Sequence, residues 1–391
     1  MNACLPVVIA LNARGWDVHF LALTTAYDRV IRAGAIGAGV CIWQARDLIG
    51  PADADILAYG ERLVGDAPTH GAVSREESIA YHGLGYHHLV ASYGKERAAS
   101  LYSDKGRAAF EHTALADRII DTVAPDMVLT TNSPRAEKAL IDGAKTRGIP
   151  AVVLNDTLAS ASNHWLHRPD YANRILVLNE AVKRVLIASG HAPDKIAVTG
   201  NPAFEPMARL KDRRDSKAAA TGGARKTVLY ASQPLTGQDA RHRLQVIAQL
   251  HHIASIRDDL DVRIRLHPNE DPNPDWIKPP FRCFHNASLA EELFDADALV
   301  THGSTAGIEA ALSGLPVVLQ MGSKIAHECR FADYGFAQIS PAIGDLEGAI
   351  ERALASPIDS NSDASFAMPN DALANVVAEL EAMPVGVADA A

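Results

Sequence analysis

Several ingredients are scarce in this chain, and each scarcity removes a class of protein. Cysteine is limited to Cys4, Cys41, Cys283 and Cys329, which lie far apart with no C-x-x-C pair. A disulfide-built scaffold is excluded and a zinc site is argued against, so these read as reduced thiols of a cytosolic protein. Long apolar runs are missing as well. None approaches the ~18–20 residues needed to cross a bilayer, and no signal peptide is visible. Positive charge is in deficit: the formal net charge is −10 and the pI is near 5.9. A general nucleic-acid binder is therefore excluded, because neutralising phosphates takes a basic face.

What is present is ordinary globular material, 48% hydrophobic and 21% charged over 391 residues, enough for two domains with separate cores. From Asp126 onward strands and helices alternate. The pattern predicts strand Met127–Thr131, helix Pro134–Arg147, strands Ile149–Leu154 and Arg174–Leu178, helix Glu180–Ser189 and strand Ile196–Thr199. Pro134 at a helix start and Gly148 past its end follow the usual asymmetry. This rhythm argues for a parallel, doubly wound α/β sheet. Upstream, Cys4–Ala13 reads as an apolar helix ended by Gly15 and followed by strand Asp17–Thr24, a β-α-β unit without its opening strand. Either the sequence begins at a late start codon or the protein lacks that element. Ala35–Trp43 reads as a second strand and residues 50–124 as mostly helical. The latter include Tyr81-His82-Gly83-Leu84-Gly85-Tyr86-His87-His88, where no histidine pair has the i, i+4 spacing of a metal site. That segment is either structural or the wall of an acceptor groove.

Residues 209–227 turn basic and Ala/Gly-rich, and read as a flexible linker. Contact of its Lys/Arg run with anionic lipid headgroups is the alternative. The expected division is residues 1–205, a linker over 206–226, a second domain over 227–365, and a carboxyl-terminal helix and tail over 366–391.

The most informative stretch is 301–320, THGSTAGIEAALSGLPVVLQ. An apolar strand (Ala298–His302) ends in a small-residue turn, Gly303-Ser304-Thr305, from which a helix opens with Glu309 near its first turn. Glycine lets backbone approach a ligand, Ser304 or Thr305 caps the helix, and the helix start seats an anion. Glu309 is placed to accept hydrogen bonds from ribose hydroxyls. Earlier, Arg263-Ile264-Arg265-Leu266-His267-Pro268-Asn269-Glu270 ends a strand in His267, at the carboxyl edge where open α/β sheets bind ligands. A histidine there donates to a phosphate or leaving-group oxygen.

Together with Val198-Thr199-Gly200-Asn201-Pro202-Ala203-Phe204, these residues resemble the GT-B nucleotide-sugar enzymes. That superfamily includes bacterial capsule and lipopolysaccharide glycosyltransferases and the non-hydrolysing UDP-N-acetylglucosamine 2-epimerases. The resemblance spans roughly 125–320. It implies two Rossmann-like doubly wound domains facing a cleft, the first apparently without its first strand, and a last helix that crosses back onto the first domain. It also implies donor contacts from the loop with Gln233, Thr236 and Gly237, from His267, from the base-binding loop at His285, and from Gly303, Ser304, Thr305 and Glu309. On the first domain it turns Asn132-Ser133 and Asn155-Asp156-Thr157 toward the cleft. Asp156 is then the candidate base for the acceptor hydroxyl, or merely the cap of a turn.

Two D-x-D strings, Asp53-Ala54-Asp55 and Asp295-Ala296-Asp297, are discounted as metal sites: one lies in a helical stretch, the other precedes a strand. No cofactor or catalytic metal is expected, since helix dipole, His267 and hydroxyl donors offset the diphosphate charge. An epimerase of the resembled type needs acidic residues that are missing at Thr131-Asn132-Ser133 and unrecognisable after Asp156. Sugar transfer to a saccharide or lipid-linked acceptor in surface polysaccharide synthesis is therefore the leading reading. It places the protein in the cytoplasm or at the inner-membrane surface. An epimerase-like enzyme and a non-catalytic nucleotide-sugar binder are the alternatives.

Overall fold

In a computed structural model, residues 3–65, 73–220, 225–271, 274–283, 287–329, 331–355 and 366–384 are described. The chain opens with α1 (Cys4–Ala13), β1 (His19–Leu21), α2 (Ala26–Arg32) and β2 (Cys41–Trp43). Strands β1 and β2 pair in parallel, His19 opposite Cys41, as a separate two-stranded sheet. Both strands are shorter than the sequence suggests. Thr24 turns to φ 50° after β1, and Gly39 at φ 88° closes a turn where the start of the second strand is expected.

Helices α3 (Ala54–Val64), α4 (Arg75–Tyr93), α5 (Lys95–Lys105) and α6 (Thr113–Val123) follow. Glycines let α3 and α4 touch backbone to backbone: a Cβ on Gly60 would lie 2.0 Å from the Ile79 carbonyl oxygen, and one on Gly83 2.2 Å from that of Ile56. The Tyr81–His88 segment is accordingly packing. Tyr81 and Tyr86 are buried, and the Tyr81 hydroxyl lies 3.1 Å from His112 Nε2. No acceptor groove is lined by those two rings.

The remaining first-domain elements are β3 (Val128–Thr130), α7 (Ala136–Thr146), β4 (Ala151–Leu154), β5 (Arg174–Val177), α8 (Glu180–Ala188) and β6 (Ile196–Val198). Their strands form a parallel sheet in the order β3-β4-β5-β6. Every residue of Ala151–Leu154 is buried, which explains why these strands read as continuous apolar runs rather than alternating ones.

The expected flexible linker is largely helix α9 (Glu205–Ala220). Alanine, lysine and arginine are good helix formers, and Arg214 donates to the carbonyls of Leu293, Phe294 and Ala296, fixing the helix on the second domain. That domain comprises β7 (Lys226–Ala231), α10 (Gly237–Ile256), β8 (Leu260–Arg265), β9 (Arg282–Cys283), α11 (Leu289–Asp295), β10 (Ala298–Thr301), α12 (Thr305–Leu312), β11 (Val317–Gln320), α13 (Lys324–Glu328), β12 (Ala337–Ser340) and α14 (Leu346–Ala355). Its strands form a six-stranded sheet, β12-β11-β10-β7-β8-β9, parallel throughout. Finally α15 (Ala372–Glu381) returns to the first domain. Its Val376, Val377 and Leu380 share a core with Val7 and Leu11 of α1 and Leu176 of β5, and Glu379 accepts from Arg174 Nε at 2.9 Å.

The halves share a core. One cluster runs from Val177 and Phe204 to Leu299, Ile308 and Phe331. Hydrogen bonds also link the halves, among them Ala159 N to Tyr334 Oη at 3.0 Å and Ser160 Oγ to the Glu328 carbonyl at 2.7 Å.

Candidate functional site

The register aligns Ala231 of β7 with Arg265 of β8 and with Thr301 of β10, so the loops that follow leave one carboxyl edge side by side. In the β10 loop, Gly303 sits at φ 116°, and a Cβ there would meet Cys329 Sγ at 2.8 Å. No other residue fits without displacing α13. The Ser304 hydroxyl caps α12 by accepting from Ala306 N at 3.3 Å, while Thr305 is exposed. Two amides expected to face a ligand turn inward instead: Gly303 N and Ser304 N donate to Thr301 Oγ1 at 3.2 and 3.0 Å. The anion seat thereby narrows to the Thr305 end of the turn and the first turn of α12.

Glu309 lies on that helix, half-buried. Burial lifts its carboxyl above the ordinary value, with Arg265 opposing the lift. Among the described residues no hydrogen bond or ion pair engages it. Beneath the turn, His302 is fully buried, with Nε2 3.0 Å from the Tyr230 hydroxyl and Nδ1 without a partner. Burial, then His242 and Arg243, hold its pKa down to about 4, so this ring is neutral.

The β8 loop is built around a residue to which the sequence gives no role. Glu270 has a side chain only 6% exposed. One of its oxygens accepts from Ser232 Oγ at 3.0 Å and pairs with Arg243. The other accepts His267 N at 2.8 Å, closing the His-Pro turn onto its own carboxylate. Arg243 also donates to the Gln233 carbonyl at 3.2 Å, so the β7 and β8 loops are fastened together. In the half-buried His267 ring, Nδ1 accepts from Asn269 N at 3.1 Å. In the neutral ring that leaves the proton on Nε2, which becomes a donor.

From the β7 loop, Gln233 is buried and its Oε1 is unpartnered. Thr236 and Gly237 open α10, a twenty-residue helix whose start has no side-chain cap, with Gly237 at φ 58°. The first turn of α10 carries Asp239, which accepts from Lys324 N at 3.1 and 3.2 Å, so a carboxylate already answers the positive end of this helix. His285 lies outside the described residues.

On the first domain, Asn132 is fully engaged: Nδ2 donates to Asn155 Oδ1 at 3.1 Å and Oδ1 accepts from Trp165 Nε1 at 2.9 Å. Asn132 thus holds two turns in place, while Ser133 is exposed with its amide donating to Glu137 Oε2 at 2.8 Å. Glu137 also accepts from Thr131 Oγ1 at 2.6 Å. Asp156 has its carbonyl held by Asn201 Nδ2 at 2.8 Å, which ties the Thr199–Pro202 turn to this loop. Its side chain is half-buried. Burial raises its pKa above the ordinary carboxylate value, and nearby Glu137 adds to the rise. Of the discounted D-x-D residues, Asp53 forms a two-point pair with Arg118 at 2.7 and 2.8 Å, which, with the Gly50 amide, holds its pKa down to about 2. Asp297 binds Thr227 N at 2.8 Å, at the opposite, amino edge of the sheet.

Sequence reading missed Glu270, Arg243, Arg265 and Glu137 as site-shaping groups. Glu270 stands in the quoted motif, and its i+3 distance from His267 was the available signal. Arg243 carried none, since its partner is 27 positions away.

Residues 95–321, more than half of the chain, match the model of the family described as "Putative glycosyltransferase (DUF6716)". The chain belongs to this family. No curated protein matches it in sequence. Its fold is similar to that of a protein from Listeria monocytogenes described as a "putative UDP-N-acetylglucosamine 2-epimerase", at 14% identity and TM-score 0.56, over 97% of this chain and 92% of that one. It is also similar to UDP-GlcNAc 2-epimerase from Neisseria meningitidis bound to UDP-GlcNAc, at 12% identity and TM-score 0.53, over 97% and 96%. A third likeness is to the glycotransferase of kitacinnamycin, at 15% identity and TM-score 0.51, over 97% and 91%. The fold of this family member is GT-B, as the residue resemblance implies.

Proposed function

We propose that the protein transfers a sugar from a nucleotide-sugar donor to a saccharide or lipid-linked acceptor, in surface polysaccharide synthesis and without a catalytic metal. One observation carries this reading. At a sheet edge where most polar groups are tied to one another, the Glu309 carboxyl, His267 Nε2, Gln233 Oε1 and the start of α12 remain open to a ligand. Those are the groups a ribose, a diphosphate and its leaving oxygen require.

In this reading the diphosphate sits against Thr305 and the start of α12, with Glu309 on the ribose hydroxyls. Asp156 takes the proton of the acceptor hydroxyl, and a carboxyl lifted by burial is suited to that task at neutral pH. The acceptor oxygen bonds to the anomeric carbon as the bond from that carbon to the diphosphate breaks. The electron pair leaves on the diphosphate oxygen, which His267 Nε2–H and the helix dipole stabilise. Among the described residues no helix is long and apolar enough to cross a membrane. A lipid-linked acceptor would be met at the cytoplasmic membrane surface, where Arg209, ion-paired with Glu205 at 3.7 Å but with its side chain 80% exposed on α9, can turn to a headgroup.

A second reading rests on Glu137. With Asp156 it places two carboxylates in mutual electrostatic contact on the first domain, which proton removal and return on a sugar would use. Incubating the purified chain with UDP- and CMP-sugars separates the readings. A transferase releases nucleotide, slowly to water and faster with acceptor. An epimerase interconverts two sugars without releasing nucleotide, and a binding protein does neither.

A further inference from the structure

The segment that carries Asp156 is braced along its backbone, and part of the bracing comes from the other half of the molecule. Behind Asp156, the Asn155 side chain accepts from Asn132 Nδ2 at 3.1 Å and donates forward to the Thr157 carbonyl at 2.8 Å. Asn201 Nδ2 donates to the Asp156 carbonyl. Further on, Ala159 is fully buried, and its backbone meets Tyr334 twice. Ala159 N donates to the Tyr334 hydroxyl oxygen at 3.0 Å, and that hydroxyl donates to the Ala159 carbonyl at 3.4 Å. Ser160 adds a second tie through Oγ, which donates to the Glu328 carbonyl at 2.7 Å, while its own carbonyl lies 3.1 Å from His167 Nε2.

Tyr334 belongs to the second domain. It ends the 3-10 turn Phe331–Tyr334, just after α13, and is only 2% exposed in the core that both halves share. A phenyl ring would fill the same space, so packing alone does not call for the oxygen; a buried hydroxyl needs polar partners, and Ala159 supplies them. The same stretch supports the donor turn. A Cβ on Gly303 would lie 3.2 Å from the Ile325 carbonyl oxygen and 2.8 Å from Cys329 Sγ, so α13 and the residue after it are packed hard against that turn. Ile325 and Cys329 thus touch the donor turn, and their sequence neighbours Glu328 and Tyr334 hold the Asp156 segment.

We propose that Tyr334 is a positioning residue for transfer: its hydroxyl, gripping Ala159 from the second domain, fixes the position of Asp156 relative to the donor turn. The inference rests on the reading of Asp156 as the base for the acceptor hydroxyl. A base must stand within hydrogen-bond reach of its proton, and a misplacement of about 1 Å can cost about a hundredfold in rate. Placing a first-domain base against a second-domain donor is a relation between two bodies. Asn132, Asn155 and Asn201 all lie on the first, so they stiffen the loop without setting that distance. Tyr334 and the Glu328 carbonyl lie on the second and can set it. Tyr334 acts through the loop, not on a substrate.

The test is Tyr334→Phe in the full chain, with nucleotide release to water followed for UDP-, CMP-, GDP- and TDP-sugars. Turnover, kcat, should fall by at least about tenfold while the donor KM stays within about twofold. Amide exchange at residues 157–160 should quicken. Ser160→Ala removes the second tie and leaves the phenol in place; it should lower kcat in the same way, and the double variant should lower it further. Wild-type kcat in both single variants, or a donor KM that rises in step with the loss of kcat, overturns the proposal. Should Tyr334→Phe fail to fold, Ser160→Ala decides alone. A wild-type chain that releases nucleotide from none of these sugars, or an Asp156→Asn chain that releases it normally, removes the base reading and this inference together. A chain that needs Asp156 but neither Tyr334 nor Ser160 removes the inference alone.

Discussion

Glu270→Ala should damage this protein more than loss of any exposed site residue. The wild-type carboxylate is buried beside Arg243, whose side chain is only 15% exposed. Removing one member of such a pair leaves the other charge stranded and costs about 3–5 kcal/mol. The same substitution orphans the His267 amide and the Ser232 hydroxyl, each now satisfied by this one side chain. Urea unfolding monitored by fluorescence reads the loss, and donor turnover under folding conditions reads whether His267 still points correctly. Turnover should fall even where the protein remains folded, because the residue fixes the turn that carries the imidazole. The double variant Glu270→Leu with Arg243→Met separates the effects. It should regain most of the stability, since a buried pair is replaceable by apolar bulk, but not the turnover. A loss below about 1 kcal/mol in Glu270→Ala, with wild-type turnover, would refute the reasoning.

Other consequences can be checked with simpler assays. His267→Ala should lower turnover with little change in Tm, whereas Glu309→Ala should raise the donor concentration needed; wild-type kinetics in both removes the site assignment. A thermal-shift panel of UDP, CMP, GDP and TDP should single out the donor base, at about 2.7 kcal/mol for a nucleotide present at a hundredfold excess over Kd. Asp156→Asn should abolish transfer yet stabilise the fold at neutral pH. The folded carboxyl has a raised pKa, so its contribution is present below the unfolded value of 3.8 and is lost as pH rises through the folded one. Denaturation at pH 3 and pH 7 reads the sign, and an equal effect at both counts against it. Turnover should survive EDTA, and loss restored by a divalent cation would contradict the metal-free reading.

Much of the fold was legible because buried parallel strands have little choice of residue. Val317–Gln320 and Ala151–Leu154 announce themselves as apolar runs, and Cys4–Ala13 as a helix between breakers. The β10 turn was readable because Gly303, at positive φ, and Ser304, as helix cap, each have a local job. Illegible were features made by distant partners: Arg243 with Glu270, Asn132 with Trp165, and Arg214 fastening α9 where composition alone suggests a flexible tether. Thr301 Oγ1 drawing in two amides was likewise invisible, since a strand-end threonine looks the same whether or not it closes the next turn.

The polypeptide passes between the halves twice, once near Pro202 and again before α15. A body joined at two points can swivel about the line through them far more easily than it can splay. Relative motion of the two sheets should thus resemble a door on a pair of pins. Cutting the second pin, by ending the chain at Ala355, would also uncover Val7, Leu11 and Leu176, so a shortened protein should associate through that bared patch.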